Sequence, residues 1–258
     1  MARRGIEVQR AVIKALFMRE MKTRFGKYRL GYLWAILEPA AHLMVLVGIF
    51  GYVMHRTMPD ISFPVFLVNG IIPFFIFSNI TSRSINAIEA NQGLFNYRPV
   101  KPIDTILARA ILETIIYIFV YIVLMVILKI LGEDMAIIKI VTLFITWFML
   151  FFLSCGMGMI FMVIGHSFPE TEKFLPIIVK PLYFISCIMF PLHSVPKDYW
   201  PYLLWNPIIH IVEISREAVC VGYISEGADI NYLAVVSLLI TTLGLAAYRL
   251  REREMLTS

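Results

Sequence analysis

The sequence predicts an all-α polytopic membrane protein with six transmembrane helices, an amphipathic N-terminal helix and a re-entrant helical hairpin before the last span. Of its 258 residues, 59% are hydrophobic and 16% are charged, and the mean hydropathy is +0.78. Soluble domains average about 45–50% apolar and about 25% charged residues, which excludes an ordinary soluble fold, a disordered chain and a solvated coiled coil. The apolar runs are long enough for membrane-spanning helices, which need about 20 residues.

The predicted N-terminal segment, residues 1–31, is basic and cytosolic. It carries nine Lys and Arg residues before the first long apolar run, whereas a signal peptide has a short basic region followed directly by its apolar run. Residues 6–18 have the periodicity of an amphipathic helix with a narrow polar stripe of Glu7, Arg10 and Lys14. Such a helix is typical of the headgroup layer of a membrane. The residues favour a simple basic anchor, and the alternative is a docking surface for a cytosolic partner.

Six apolar segments follow within a predicted transmembrane domain, residues 32–250, and a short cytosolic tail, 251–258, ends the chain. The predicted spans are 32–54, 64–87, 103–131, 136–164, 174–192 and 231–248. The stretch 193–230 is rich in proline and aromatic residues, and Pro207 suits the first position of a helix that reaches Val221. That helix is too short and too polar to span, so we expect a re-entrant or interfacial hairpin covered by protein or water.

The distribution of basic residues predicts that both termini are cytosolic. With six spans, 16 of the 23 Lys and Arg residues lie in cytosolic segments and five lie in outer loops. This excess follows the positive-inside rule. The net charge of +5 comes from these cytosolic basic residues, so it does not indicate a nucleic-acid-binding protein.

The sequence lacks the signatures of common enzymes and cofactor sites. It contains no G-x-x-x-x-G-K-[ST], H-E-x-x-H or G-x-S-x-G motif, so neither a P-loop ATPase, a zinc protease nor a serine hydrolase is indicated. The three cysteines form no C-x-x-C pair. We expect no catalytic residue, metal or cofactor on this chain.

Charged and ionisable residues inside the predicted spans are candidates for function, because charge within a bilayer is costly. They share the depth of the cytosolic leaflet: Glu38, His42, Arg83, Arg109, Glu113 and Lys180. One alternative is that Glu38–His42 and Arg109–Glu113 neutralise each other as i,i+4 pairs. The other is a polar entrance for an anionic lipid-linked substrate. Lys180 alone is more typical of a snorkelling side chain.

Two groups outside these charges have alternative readings. The aromatic residues before the last span are Tyr199, Trp200, Tyr202 and Trp205. They fit an interfacial belt, which the sequence favours, and they also fit weak stacking on sugar rings. The small residues Ser154, Cys155, Gly156 and Gly158 predict a close contact between helices.

Four sequence segments carry a resemblance to a known family. They are residues 24–34 (RFGKYRLGYLW), 89–97 (EANQGLFNY), 181–186 (PLYFIS) and 204–207 (LWNP). With the basic N-terminal helix and the broken hairpin, the chain resembles over essentially its whole length the permease subunits of ABC-2-type exporters. It is most similar to the membrane subunit of the Gram-negative group 2 capsular polysaccharide exporter.

The resemblance implies a homodimer in the bacterial inner membrane, bound to two copies of a separate ATPase that holds ATP and Mg. The implied cargo is an acidic polysaccharide carried on a phospholipid. The further implied partners are a periplasmic co-polymerase-like adaptor and an outer-membrane polysaccharide export protein. Rival interpretations are an ABC-2 permease for another cargo, such as O-antigen, teichoic acid or a small hydrophobic compound, and a membrane-embedded enzyme that modifies lipids or sugars.

The resemblance also implies roles for the polar segments. The N-terminal helix and the cytosolic loops 89–104 and 166–173 become the expected ATPase contacts, with residues Arg10, Lys14, Arg98, Lys101, Glu170, Glu172 and Lys173. The hairpin 193–230 becomes the expected channel exit, lined by the four aromatic residues.

Overall fold

The computed structural model describes residues 5–25, 31–53, 61–95 and 100–257, and the regular structure of these residues is helical. In chain order the helices are α1 (Gly5–Phe25), α2 (Gly31–Leu46), α3 (Phe63–Ser84), α4 (Gln92–Phe95), α5 (Pro102–Ile130), α6 (Ile140–Ser167), α7 (Thr171–Ile185), α8 (Trp200–Leu203), α9 (Pro207–Val219) and α10 (Ile230–Thr257). A π-helical turn, Val47–Val53, continues α2. The all-helical prediction is confirmed for these residues.

Five helices of the described residues are long and apolar enough to cross a membrane. They are Leu33–Gly51, Phe63–Ser84, Pro102–Ile130, Ile140–Ser167 and Ile230–Leu256. They coincide with the first four predicted spans and the last one. The remaining predicted span, 174–192, contains α7, which has 15 residues and ends at Ile185. The sixth span therefore stays a prediction.

Helix α3 is the centre of the bundle. It begins where the Ser62 hydroxyl accepts a hydrogen bond from the backbone N–H of Val65, at 3.4 Å, with a proline in the first turn. Of its apolar window, 78% is buried, and α5, α6 and α9 pack around it. The buried Asn69 is satisfied because its amide donates to the Val65 carbonyl and its oxygen accepts from the Tyr121 hydroxyl at 2.9 Å.

Helices α6 and α10 meet at two glycines. A Cβ atom on Gly156 would lie 2.7 Å from the backbone nitrogen of Thr241, and one on Gly244 would lie 2.5 Å from the carbonyl oxygen of Gly156. Only residues without a side chain permit this approach. The predicted close contact at the small residues of α6 is confirmed.

Three helix ends differ from the sequence prediction. Helix α1 continues to Phe25 rather than stopping near residue 18, and it packs along the first half of α5 with Leu16 buried. Helix α9 begins at Pro207 as predicted, where the Asn206 side chain accepts from the Ile208 N–H at 3.0 Å, and it ends at Val219. Helix α10 extends beyond the predicted span to Thr257.

Candidate functional site

The buried charges of α5 pair with residues of α1. The Arg109 guanidinium lies 2.8 Å from the Glu20 carboxylate, and Glu113 forms an ion pair with Arg24. A second arginine, Arg83 at the end of α3, approaches Glu113 to 3.5 Å. Among the described residues, the ion pairs of Arg109 and Glu113 therefore link α5 to α1 and α3 instead of joining Arg109 to Glu113 within one helix.

This α1–α5 network explains how charge is tolerated inside the bundle. Arg109 is 7% exposed and Glu113 is 1% exposed, so each charge needs a partner. Arg109 also donates to the carbonyl oxygen of Arg83. The Arg83 side chain, in contrast, is 41% exposed. Of the cations in this network, Arg83 has the most exposed side chain.

The other predicted entrance residues lie on α2 and α7. The His42 imidazole is 2.8 Å from the hydroxyl of Tyr183, and this contact joins the two helices. Glu38 is exposed on α2 and Lys180 is exposed on α7. Glu38 acts electrostatically on His42 of its own helix and on Arg24 of the α1–α5 network, so Glu38 and His42 are not a group separate from Arg83, Arg109 and Glu113.

The two predicted coupling loops come together around a cleft of about 240 Å³. Its lining residues are Ile85, Asn86, Ile88, Glu89, Gln92, Gly165, His166, Pro169 and Glu172. The walls approach closely because a Cβ atom on Gly165 would lie 2.6 Å from the carbonyl oxygen of Ile85. The cleft is open and has a carboxylate on each side, from Glu89 and Glu172, both of them exposed.

The remaining predicted coupling residues have varied surroundings. Arg10 and Lys14 are exposed on α1, and Glu170 and Lys173 are exposed beside the cleft. Lys101 forms a 3.0 Å ion pair with Glu252 of α10. Arg98 lies outside the described residues.

Helix α1 contacts the loop that lines the cleft. The Arg19 guanidinium donates to the side-chain oxygen of Asn91 and, at 3.2 Å, to the carbonyl of Ala90. At the other end of α1, the Gln9 amide donates to Asp104 at 3.2 Å. Helix α1 is thus bonded to both sides of the loop between α3 and α5.

Three of the four predicted exit aromatics present their rings. Tyr199 is 60% exposed, Tyr202 is 73% exposed and Trp205 is 67% exposed. Trp200 instead packs on the backbone. Its indole N–H donates to the Val195 carbonyl at 2.9 Å. Its ring packs against Gly227, because a Cβ atom added to that glycine would lie only 3.0 Å from the ring.

A buried ion pair in α9 is the main feature that the sequence reasoning missed. Arg216 is fully buried and lies 2.9 Å from Glu213. Its guanidinium also donates to the carbonyls of Cys187 and Ile188, at 2.9 and 2.7 Å, and sits 3.5 Å above the Phe66 ring.

The surroundings of this pair complete its hydrogen bonding. The second oxygen of Glu213 accepts from the Tyr223 hydroxyl at 2.6 Å. Gly70 on α3 leaves room for the guanidinium, because a Cβ atom there would lie 2.9 Å from it. The pair therefore fastens α9 to α3 and to the turn after α7. Its sequence signal was an i,i+3 pair of opposite charges among apolar residues.

Glu217, one helical turn after Glu213 on α9, has a polar environment. It forms an ion pair with Lys139 and accepts a hydrogen bond from Ser225. Burial alone would raise the pKa of Glu217, but the hydrogen bonds from these two residues outweigh it and lower the pKa below its usual value. Glu217 is thus a carboxylate that ties the loop before α6 to α9.

Comparison with known proteins places these features in context. Residues 11–219 match the family described as ABC-2 type transporter. The chain is 68% identical, over its full length and that of the relative, to the polysialic acid transport protein KpsM of Escherichia coli. It is 28% identical to the capsule polysaccharide export inner-membrane protein CtrC of Neisseria meningitidis serogroup B, covering 94% of this chain and 91% of the relative. It is also 28% identical to the capsule polysaccharide export inner-membrane protein BexB of Haemophilus influenzae, covering 94% and 92%.

Proposed function

Since the chain belongs to the ABC-2 type transporter family, we propose that it is the membrane permease of an ATP-driven exporter that moves lipid-linked capsular polysaccharide across the inner membrane. The observation that carries this conclusion is the 68% identity, over the full length of both chains, to a polysialic acid transport protein. The family consists of transport proteins, and the sequence contains no P-loop, so ATP and Mg bind to a separate subunit.

The working assembly is a homodimer with two ATPase subunits, six spans per permease and both termini in the cytosol. The cleft between Glu89 and Glu172 supports ATPase docking, because it joins the two polar loops that connect spans on the cytosolic side. Arg10 and Lys14 extend this surface along α1. Nucleotide drives transport by favouring one of two conformations of the dimer.

Close packing beside the cleft transmits movement of the ATPase to the helices of the bundle. Gly165 at the end of α6 touches Ile85 just after α3, and Arg19 ties α1 to the same loop. Packed interfaces of this kind shift as units rather than deforming continuously. Movement of the ATPase therefore reaches α3, α6 and α1 together.

The entrance for the anionic lipid end of the cargo lies at the cytosolic leaflet. Arg83 supports this assignment because its guanidinium is partly exposed, while Arg109 is occupied by Glu20. Glu38, His42 and Lys180 border the same level on α2 and α7. Weak, repeated contacts suit a long polymer, because tight binding would stall its movement.

The exit lies at the re-entrant region 193–230, with α8 and α9 as its two arms. Tyr199, Tyr202 and Trp205 are exposed there, and flat aromatic rings suit the apolar faces of sugars. The periplasmic adaptor and the outer-membrane export protein receive the polymer beyond this point.

Complementation tests the proposed function. The gene is expressed in a capsulated strain that lacks its own permease gene, and surface polysaccharide is measured together with polysaccharide retained in the cell. We expect surface capsule from the wild-type chain and intracellular polymer from Arg83→Ala, with Lys129→Ala at the outer end of α5 as the control. Failure of the wild-type chain to export, in a strain where it is inserted in the membrane and bound to the ATPase, contradicts the assigned cargo.

A further inference from the structure

We propose that three residues at the end of α10, Arg251, Glu252 and Met255, position the surface on which the ATPase acts. They hold the two cytosolic loops that border the cleft, 89–104 and 166–173, in a fixed relation to each other. They are positioning residues, because they act through the loops. The inference rests on the proposed role of the cleft in ATPase docking, and it adds α10 to that machinery.

The end of α10 is charged where the rest of the helix is apolar. From Asn231 to Tyr248 the sequence contains no Lys, Arg, Asp or Glu, whereas five of the six residues from Arg249 to Glu254 are charged. The helix nevertheless continues without interruption to Thr257. Because this density of charge is too costly inside a bilayer, the end of α10 projects from the membrane on the side that the proposed topology assigns to the two loops.

Glu252 contacts the first loop at the point where the loop enters α5. Its carboxylate lies 3.0 Å from the ammonium group of Lys101. Lys101 is itself fixed, because its backbone N–H donates to the Asp104 carboxylate at 3.0 Å and Asp104 is buried. The side chains of Glu252 and Lys101 both reach solvent, so their pair contributes little to the stability of the protein. Its consequence is for the position of the loop.

Arg251 contacts the second loop. Its guanidinium donates to the Ser167 hydroxyl at 2.9 Å, and that hydroxyl in turn donates to the Val163 carbonyl at 3.1 Å. Ser167 is the last residue of α6 and directly follows His166, which lines the cleft. Successive side chains of an α-helix point about 100° apart. The end of α10 therefore lies between the two loops, and Arg251 and Glu252 reach one loop each.

Met255 belongs to a small hydrophobic core behind the cleft. Its side chain is only 1% exposed, and its cluster is distinct from the main core around α3. Ile88 is a member of the same cluster and also lines the cleft. Truncation of Met255 leaves a cavity in this core, and the surrounding residues, including a wall of the cleft, relax partly into it. The other members of the cluster are Ala87, Ile106, Met159, Met162 and Tyr248.

Together these contacts join both loops to one closely packed helix. Helix α10 is held against α6 by the approach of Gly244 to Gly156. Packed elements of this kind move as units, so a displacement of one loop reaches the other through the end of α10. When the contacts are lost, we expect ATP to be hydrolysed without an equal advance of the polymer.

The ratio of ATP hydrolysed to polysaccharide transported tests the role of Met255. It is measured for the purified permease–ATPase complex in proteoliposomes, with a labelled phospholipid-linked acidic polysaccharide as cargo. Met255→Ala should raise this ratio about 2- to 30-fold, the range for residues that transmit coupling without touching a ligand. Leu256→Ala, at the exposed neighbouring position, is the matched control and should leave the ratio unchanged.

Charge exchange tests the contact with the first loop. Glu252→Lys and Lys101→Glu should each raise the ratio, and the double exchange should return it towards the wild-type value. Because both side chains reach solvent, these variants decide the question even where Met255→Ala fails to fold. A double exchange that is as uncoupled as Lys101→Glu alone overturns the contact, since Lys101 then acts directly on the ATPase.

Removal of one hydrogen bond from either side tests the contact with the second loop. Arg251→Ala and Ser167→Ala should each raise the ratio, and the double variant should be no worse than either single variant, because both remove the same bond. Effects that add in the double variant overturn this contact.

The outcomes separate this inference from the proposed function. Transport by the wild-type complex, with an unchanged ratio in Met255→Ala and in the single charge variants, overturns the inference and keeps the proposed function. A lower yield of the variant complexes with an unchanged ratio also overturns it, because the end of α10 then serves stability alone. A wild-type complex that transports no polysaccharide with ATP overturns the proposed function, and this inference with it.

Discussion

Removal of the Glu20 carboxylate measures how firmly α1 is fastened to α5. Glu20 lies 2.8 Å from Arg109, and the two side chains are 19% and 9% exposed. Removing one partner of a buried ion pair costs about 3–5 kcal/mol. We expect a smaller cost, about 2–3 kcal/mol, because Glu20 is partly solvated and Arg109 keeps its hydrogen bond to the Arg83 carbonyl.

That cost corresponds to a shift of about 30- to 150-fold in the equilibrium between docked and undocked α1. The reporter is Leu16→Cys, because Leu16 is only 5% exposed and faces the bundle. Its labelling by a maleimide in membranes follows the undocked population when opening is fast. The Glu20→Ala variant should raise the labelling rate by the same factor.

Two further variants test whether loss of the Glu20–Arg109 ion pair causes the faster labelling. Glu7→Ala, in the exposed first turn of α1, should leave the labelling rate unchanged. Exchanging the pair as Glu20→Arg with Arg109→Glu should recover part of the loss, as coupled residues do in a double-mutant cycle. An unchanged rate in Glu20→Ala, or a double exchange that is no better than its two single variants combined, refutes the reasoning.

Four further predictions concern the packing, the buried pair, the exit and the coupling to the ATPase. Gly244→Ala should destabilise the α6–α10 contact by about 1–3 kcal/mol, since the new methyl group would overlap the Gly156 carbonyl; a lowered unfolding temperature of the purified protein checks this. Arg216→Ala should lower that temperature more than Glu217→Ala, because it leaves Glu213 buried without a countercharge. Tyr202→Ala should slow export of polysaccharide without changing protein abundance, and equal export rates would contradict the sugar path. Glu172→Lys should raise ATP hydrolysis per polymer exported while the permease remains in the membrane, because it reverses one of the two carboxylates of the cleft. With Lys139→Ala on the outer side as control, an unchanged ratio would remove the cleft from the coupling path.

Hydropathy predicted the helices that are long and apolar enough to cross a membrane. The first four apolar runs and the last one appear as long helices close to the expected positions. The run 174–192 is also apolar, yet its helix ends at Ile185. The turn that follows directs the Cys187 and Ile188 carbonyls at the guanidinium of Arg216, which is distant in the sequence. A local pattern contains no information about such a distant partner.

The charged residues of α5 show the same limit of prediction from local sequence. Their spacing correctly drew attention to Arg109 and Glu113, because charges inside a span need an explanation. Their partners could not be read from spacing, since Glu20 and Arg24 come from α1, which precedes α5 by two long helices. Likewise, composition grouped Trp200 with three exposed aromatics, although its ring packs on the backbone at Gly227.

Reconstitution in proteoliposomes tests the central claim most directly. The purified permease is incorporated with and without the ATPase that co-purifies with it, and transfer of a labelled phospholipid-linked acidic polysaccharide across the bilayer is measured. The proposed function predicts transfer only when the permease, the ATPase and hydrolysable ATP are all present. Transfer or chemical alteration of the polysaccharide by the permease alone would contradict it.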